Sequence, residues 1–297
     1  MIEYNSISAI VNEADRRGVS VSQLVLEDQA ADMGAPQETV LGRMTEMLGV
    51  MRSAAEEGLA RAERSATGLS GGDGARMRAY ADAGPQSGGG PLGGAFCARA
   101  TAIAIAIAEY NASMGKIVAA PTAGSCGIVP AAILTMMDMR GVSERAAAMA
   151  LITAGAFGMV IAKEATIAGA QGGCMAECGS AAAMAAGALV ELSGGANEAA
   201  AHAFAIAIKN QLGLVCDPVA GLVEVPCVKR NAGGIVCAIG AADMALAGIR
   251  SVIPVDEVVS AMREVGDSIP PALRETAQGG LAATPTGLAI KDRIFGK

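Results

Sequence analysis

The chain has no tryptophan, a single histidine and only 2 % aromatic residues, and charged residues make up only 17 % of its 297 positions. Each shortage removes a class of function. One histidine, His202, in an alanine-rich helical stretch cannot supply the ligand set of a zinc hydrolase and reads as a surface or satisfied core residue. With a formal charge of −7 and no lysine or arginine run, there is no electrostatic footprint for nucleic acid. The N-terminal segment MIEYNSISAIVNEADRR has no basic region followed by an apolar core, so nothing marks the chain for secretion and a cytoplasmic location is expected. There, the seven cysteines are thiols and metal ligands and not a disulfide framework. None of the six lysines lies beside a phosphate-binding loop, which argues against a pyridoxal Schiff base.

Hydrophobic residues make up 52 % of the chain. With so few aromatics the core must be built from Ala, Gly, Leu, Ile, Val and Met, and small residues let helices approach closely. The stretch 165–190 carries one charge, Glu177, and is long enough to span a bilayer. It is mostly Ala and Gly, lacks aromatic anchors and is broken at AQGG, so it reads as a buried helix and no membrane association is expected.

Helical signals recur along the whole chain. Ser20 and Gln23 form a capping-box pattern, and Pro36 stands at an expected first helical position before an amphipathic run to about Arg64. AIAIAIA alternates like a strand, but its length and alanine content favour helix. Further helices are expected at about 143–168, 175–192 and 231–250, with Asn197 as a cap and Gly213 as a stop. The predicted fold is all-α, a compact multi-helix domain over residues 1–297. It divides into an N-terminal helical layer (1–64), a glycine-rich region (65–94) that is a linker or a ligand-approaching loop, and a helical core (95–297).

Cys174 lies in GAQGGCMAECGSA, and Cys216 and Cys227 bracket CDPVAGLVEVPC. Ten residues containing Pro218, Gly221 and Pro226 can fold back so that both sulfurs face one point, as a helix of that length could not. Convergent thiolates hold a soft metal or an iron–sulfur cluster, whereas each cysteine alone also fits core packing. Cys97, Cys178 and Cys237 are assigned to packing, although Cys178 shares a helix face with Cys174. Cys126, in PTAGSCG, stands where a loop enters a helix. PTAGSCG and KRNAGG each read as a helix start whose free N–H groups suit a carboxylate. Thr122, Gly124, Arg230 and Asn231 are therefore the candidate substrate-binding residues, Arg230 as a charged clamp and Asn231 as an amide donor.

The segments PTAGSCGIVPA, GAQGGCMAECGSAAAMAAGALVELSGG, KNQLGLVCDPVAGLVEVPCVKRNA and LRETAQGGLAATPTG, supported by TGLSGGDGARMRAY, span Thr67 to Gly287. They resemble the α subunit of the iron–sulfur-dependent L-serine dehydratases, also called L-serine ammonia-lyases. The resemblance implies a helical α domain with a [4Fe–4S] cluster on Cys174, Cys216 and Cys227, the fourth iron being open as a Lewis acid. It also implies conversion of L-serine to pyruvate and ammonia, a separate β subunit and an active site where the two subunits meet. A higher oligomer is compatible with this. Single-chain members carry a β domain, and some end in a cysteine for the fourth iron; this chain ends DRIFGK. The general base is left open among Lys163, Glu164, Glu177 and a β-subunit residue. A related cysteine desulfidase, and a non-catalytic helical partner or membrane protein, are the competing readings.

Overall fold

The structure is a computed structural model that describes residues 2–83 and 90–296; residues 84–89 of the glycine-rich region lie outside the described residues. Among the described residues there is no β-strand, only one parallel bridge between Cys216 and Arg274. The fold is all-α. Helix α1 (Ile7–Arg17) starts where the Ser6 hydroxyl accepts the Ala9 N–H and stops at Gly18, whose φ of 67° favours glycine. Helix α2 (Val21–Asp32) is capped by Ser20, which accepts from the Gln23 N–H; the Gln23 amide donates to Glu27, so the reciprocal half of the capping box is replaced. Helix α3 (Gln37–Ala60) begins one residue after Pro36 and ends before Arg64. Asp256 of the later helix α12 (Val255–Ser268) accepts the Ser6 hydroxyl at 2.8 Å and the Ile7 N–H at 2.7 Å, which fastens the N-terminal layer to the rest.

The ARMRAY segment lies in α4 (Asp73–Asp82), the ordered part of the glycine-rich region. Its start wraps a carboxylate. Glu109, only 4 % exposed, accepts the N–H groups of Gly71, Asp73 and Gly74 at 2.9–3.1 Å, leaving three donors satisfied at a helix N-terminus where negative charge is favoured. Glu109 belongs to α5 (Gly94–Ala112), in which AIAIAIA is helical and almost wholly buried.

Helices α6 (Ile128–Arg140), α7 (Glu144–Glu164) and α8 (Gly169–Cys174) follow, then a π-helical turn, Met175–Gly179, that runs into α9 (Ser180–Leu192). Helix α9 is buried from Ser180 to Val190, and α6, α7, α10 (Asn197–Gln211) and α11 (Cys227–Leu246) surround it. The stretches Glu144–Glu164 and Gly169–Leu192 are long and apolar enough to cross a membrane, yet 94 % of the window in the second is buried inside the protein. Its composition is that of a central core helix. Helix α13 (Pro285–Phe295), capped by Thr284, ends the described fold.

Two expected boundaries are corrected. Asn197 is the first residue of α10 and does not cap it; its amide instead accepts the Val21 N–H and donates to Asp15 and to the Val19 carbonyl, joining α10 to the start of α2. KRNAGG is not a helix start either, because α11 begins at Cys227 and the Arg230 N–H already donates to the Pro226 carbonyl.

Small residues set the helix spacing. A Cβ on Gly58 of α3 would stand 2.3 Å from the Ala106 carbonyl oxygen of α5, whereas one on Gly155 of α7 would meet nothing within 4 Å. Gly58→Ala should therefore destabilise the protein by about 1–3 kcal/mol through overpacking, and Gly155→Ala should stabilise it by about 0.5–1 kcal/mol through helix propensity. Denaturant unfolding of the two variants checks the pair of opposite signs.

Candidate active site

Three cysteines reach one region from three different elements. Cys174 ends α8 where the backbone is irregular: Gly173 has a φ of 70°, and a Cβ there would lie 2.7 Å from the Leu214 carbonyl oxygen. The next residue, Met175, donates its N–H to that carbonyl at 2.9 Å, so the π turn is stitched to the segment that leads to Cys216. π turns are common at functional sites because they break the regular ladder and redirect side chains. Cys216 itself is pinned by main-chain bonds, its N–H donating to Leu273 and its carbonyl accepting from Glu275, each at 2.8 Å. Cys227 opens α11 immediately after Pro226.

Buried carboxylates hold the loop between the last two cysteines. Asp217, 3 % exposed, accepts from the Arg230 guanidinium at 2.8 Å and from the Leu281 N–H at 2.8 Å. Glu224, 4 % exposed, accepts the hydroxyls of Ser65, Thr67 and Ser70 at 2.5–2.7 Å. The segments around 65–74 and 273–287 thus close over the cysteine loop. Sequence reasoning passed over both acids, although each is a charged residue in an otherwise apolar loop, and a buried charge demands partners.

All seven cysteines are free thiols. A hydrogen bond from Cys178, with the nearby Arg230 charge, lowers the pKa of Cys174; burial pushes Cys227 up to about 12 and raises Cys216 as well. Negative charge on Cys174 raises both Cys216 and Cys227, so the three thiols lie within electrostatic reach of one another. No group of three His, Cys, Asp or Glu side chains drawn together around a single ion occurs among the described residues. A multi-iron cube has a different requirement: each thiolate ligates a different iron, so its ligands stand farther apart than those of one ion. Three free, mutually interacting thiols beside a cation fit such a group. Cys126 is wholly buried with its thiol pushed up to about 12 by burial, while Cys97 and Cys237 lie within helices α5 and α11.

Glu177, in the π turn, lies beside the thiols. Its carboxylate accepts the Thr122 hydroxyl at 2.6 Å, and a Cβ on Gly124 or Gly169 would come within 2.9 Å or 2.6 Å of its oxygens, the latter also 3.3 Å from the Cys216 sulfur. Burial raises its pKa, only partly offset by Thr122. Of the other base candidates, Lys163 stacks 5.7 Å from the Tyr4 ring centre, and Glu164 ends α7 outside this cluster of contacts.

The structure brings the four candidate substrate-binding residues to the same junction, in unequal states. Around Thr122 and Gly124, the N–H groups of Ala123 and Gly124 find no protein acceptor among the described residues. Asn231 is fully buried, and its amide is committed to the Gly127 N–H and to the Gly124 and Cys227 carbonyls at 2.8–2.9 Å. Arg230 donates to the Val215 carbonyl at 2.7 Å and to Asp217, gripping the chain on both sides of Cys216. Its geometry is that of a brace. His202 accepts the Ser251 N–H at 3.3 Å through Nδ1, but its Nε2 is buried without a hydrogen-bond partner, 3.6 Å from the Glu198 carboxylate, so the ring is only half satisfied. A cleft of about 510 Å³ beside Phe96, Arg140 and Leu246 includes none of the three thiols.

Thiols, a half-buried carboxyl and unbonded main-chain donors thus gather at the junctions of a helical scaffold, an arrangement that an enzyme site can use. Residues 16–282 match the family described as serine dehydratase alpha chain. The chain is 46 % identical over 293 residues to the probable L-serine dehydratase, alpha chain, of Bacillus subtilis, covering 99 % of this chain and 96 % of that one. It is 45 % identical to the L-serine dehydratase, alpha chain, of Peptoniphilus asaccharolyticus, covering 97 % of each. With the L-serine dehydratase of Streptomyces coelicolor the identity is 38 % over 91 % of this chain but only 58 % of that longer one. The chain belongs to the serine dehydratase alpha chain family.

The brace makes a direct prediction. Arg230→Ala leaves the Asp217 carboxylate, 5 % exposed at its side chain, without its counter-ion. Stability should fall by about 3–5 kcal/mol, the usual cost of breaking a buried pair. Chemical denaturation measures it, and a loss below about 1 kcal/mol would contradict the bracing role.

Proposed function

We propose that this chain is the α subunit of an L-serine dehydratase and acts as a lyase that converts L-serine to pyruvate and ammonia. Membership of the family and near-full-length similarity to two proteins named as alpha chains carry this reading. They do not favour a cysteine desulfidase or a non-catalytic helical protein. Cys174, Cys216 and Cys227 are the residues to hold a [4Fe–4S] cluster, supported by their free, mutually interacting thiols. Such a cluster, when bound, supplies a Lewis acid for the β-hydroxyl. The unbonded N–H groups beside Thr122 and Gly124 receive the substrate carboxylate, and Asn231 holds that turn against α11. Glu177 takes the α proton, its raised pKa suiting a base that works nearer neutral pH than an exposed carboxylate does. Thr122 orients it. The separate β subunit, implied by the alpha-chain names of the relatives, closes the site. A cytoplasmic location suits seven free cysteines.

The test is pyruvate formation from L-serine, without oxygen, by this chain alone and with a β chain. Activity should require both, and full turnover by the isolated chain would refute the shared site. In the same assay, with iron analysis, Cys174→Ala, Cys216→Ala and Cys227→Ala should lose iron and activity together, while Cys126→Ala keeps both. Glu177→Gln should retain its iron and lose roughly 10²–10⁴-fold in kcat.

A further inference from the structure

The α-carbon of L-serine carries four different groups, and the proposed function, on which this inference rests, assigns a protein counterpart to three of them. The hydroxymethyl arm turns toward the thiols, the carboxylate toward the Ala123 and Gly124 N–H groups, and the hydrogen toward Glu177. The ammonium remains. A desolvated ammonium without an acceptor is costly, so a site that binds the zwitterion needs a carboxylate free to receive it.

Most acids around the thiols are already committed. Asp217 is bound by Arg230 and the Leu281 N–H, Glu224 by three hydroxyls, and Glu177 by Thr122. Glu275 differs. Its carboxylate has no hydrogen-bond or ion-pair partner among the described residues, and it is exposed. Its main chain nevertheless has a fixed position: φ is 63°, a conformation uncommon for a non-glycine residue, and its N–H donates to the carbonyl of Cys216 at 2.8 Å. The adjacent bridge between Cys216 and Arg274 holds the same segment. Arg274 does not neutralise the acid, because its guanidinium turns back to the Ile269 and Asp267 carbonyls. The charge of Glu275 reaches both Glu177 and Cys216, raising each.

We propose that Glu275 accepts the α-ammonium of the substrate and thereby sets which hand of the amino acid the site takes. Four distinct counterparts around one carbon fix its chirality: exchanging any two substituents, as in D-serine, would present the ammonium or the hydrogen to the wrong group. Glu275 also separates an amino acid from the corresponding hydroxy acid. Glycerate offers the carboxylate and the hydroxyl but has no cation for it.

The test uses the α chain with its β partner, prepared without oxygen. Glu275→Gln should keep its iron content and visible absorption while the KM for L-serine rises roughly ten- to a hundredfold, kcat changing less, as expected when a charge-assisted bond is lost. Inhibition by glycerate should be nearly unchanged, so the preference for serine over glycerate falls by the same factor. An unchanged KM at full iron content would overturn the assignment. So would loss of iron in step with activity in both Glu275→Gln and Glu275→Ala, which would make the residue a brace for Cys216. A wild-type complex that forms no pyruvate from serine would instead overturn the parent reading.

Discussion

A carboxylate removed from water must receive hydrogen bonds in return, and in this protein that requirement ties the loops to the helices. Glu109 gathers three main-chain donors at the start of α4, Glu224 gathers three hydroxyls from the preceding loop, and Asp217 joins Arg230 to the segment at Leu281. Without these acids the glycine-rich segment and the C-terminal segment would have little reason to pack on the cysteine loop. With them, the loop between Cys216 and Cys227 is held at Asp217 and at Glu224.

The alanine-rich interior serves the same end. Helices that meet through glycine and alanine, as α3 and α5 do at Gly58 and Ala106, leave little slack, so irregular backbone is confined to the helix junctions. The π turn after Cys174 is one such place. There a single turn presents Cys174, Glu177 and Cys178 together, which a regular α-helix at that spacing would orient differently.

Electrostatics at the junction is uneven by construction. Burial raises Cys216, Cys227 and Glu177, whereas Cys174 is lowered by Cys178 and Arg230. A cationic group, a metal centre included, would shift every one of these thiols toward the thiolate and so relieve the cost of burying them together.

Local pattern determined the helical class, most helix positions and the buried character of 165–190, and it singled out Cys174, Cys216 and Cys227 as candidate ligands, because composition, capping and turn residues act over a few positions. The place of Glu177 beside Thr122 and Cys216 was legible only as closeness to Cys174 in sequence. Tertiary structure decided the rest. Asn197 binds the start of a helix distant in sequence that Ser20 caps, the Arg230 guanidinium is held by Asp217 and Val215, and the Asn231 amide is taken up by main-chain groups at Gly124 and Gly127. Partners such as Glu224 with Ser65, or Glu275 with Cys216, lie too far apart in the chain for spacing to announce them. A polar residue's role depends on which groups share its burial, and only the folded chain determines that.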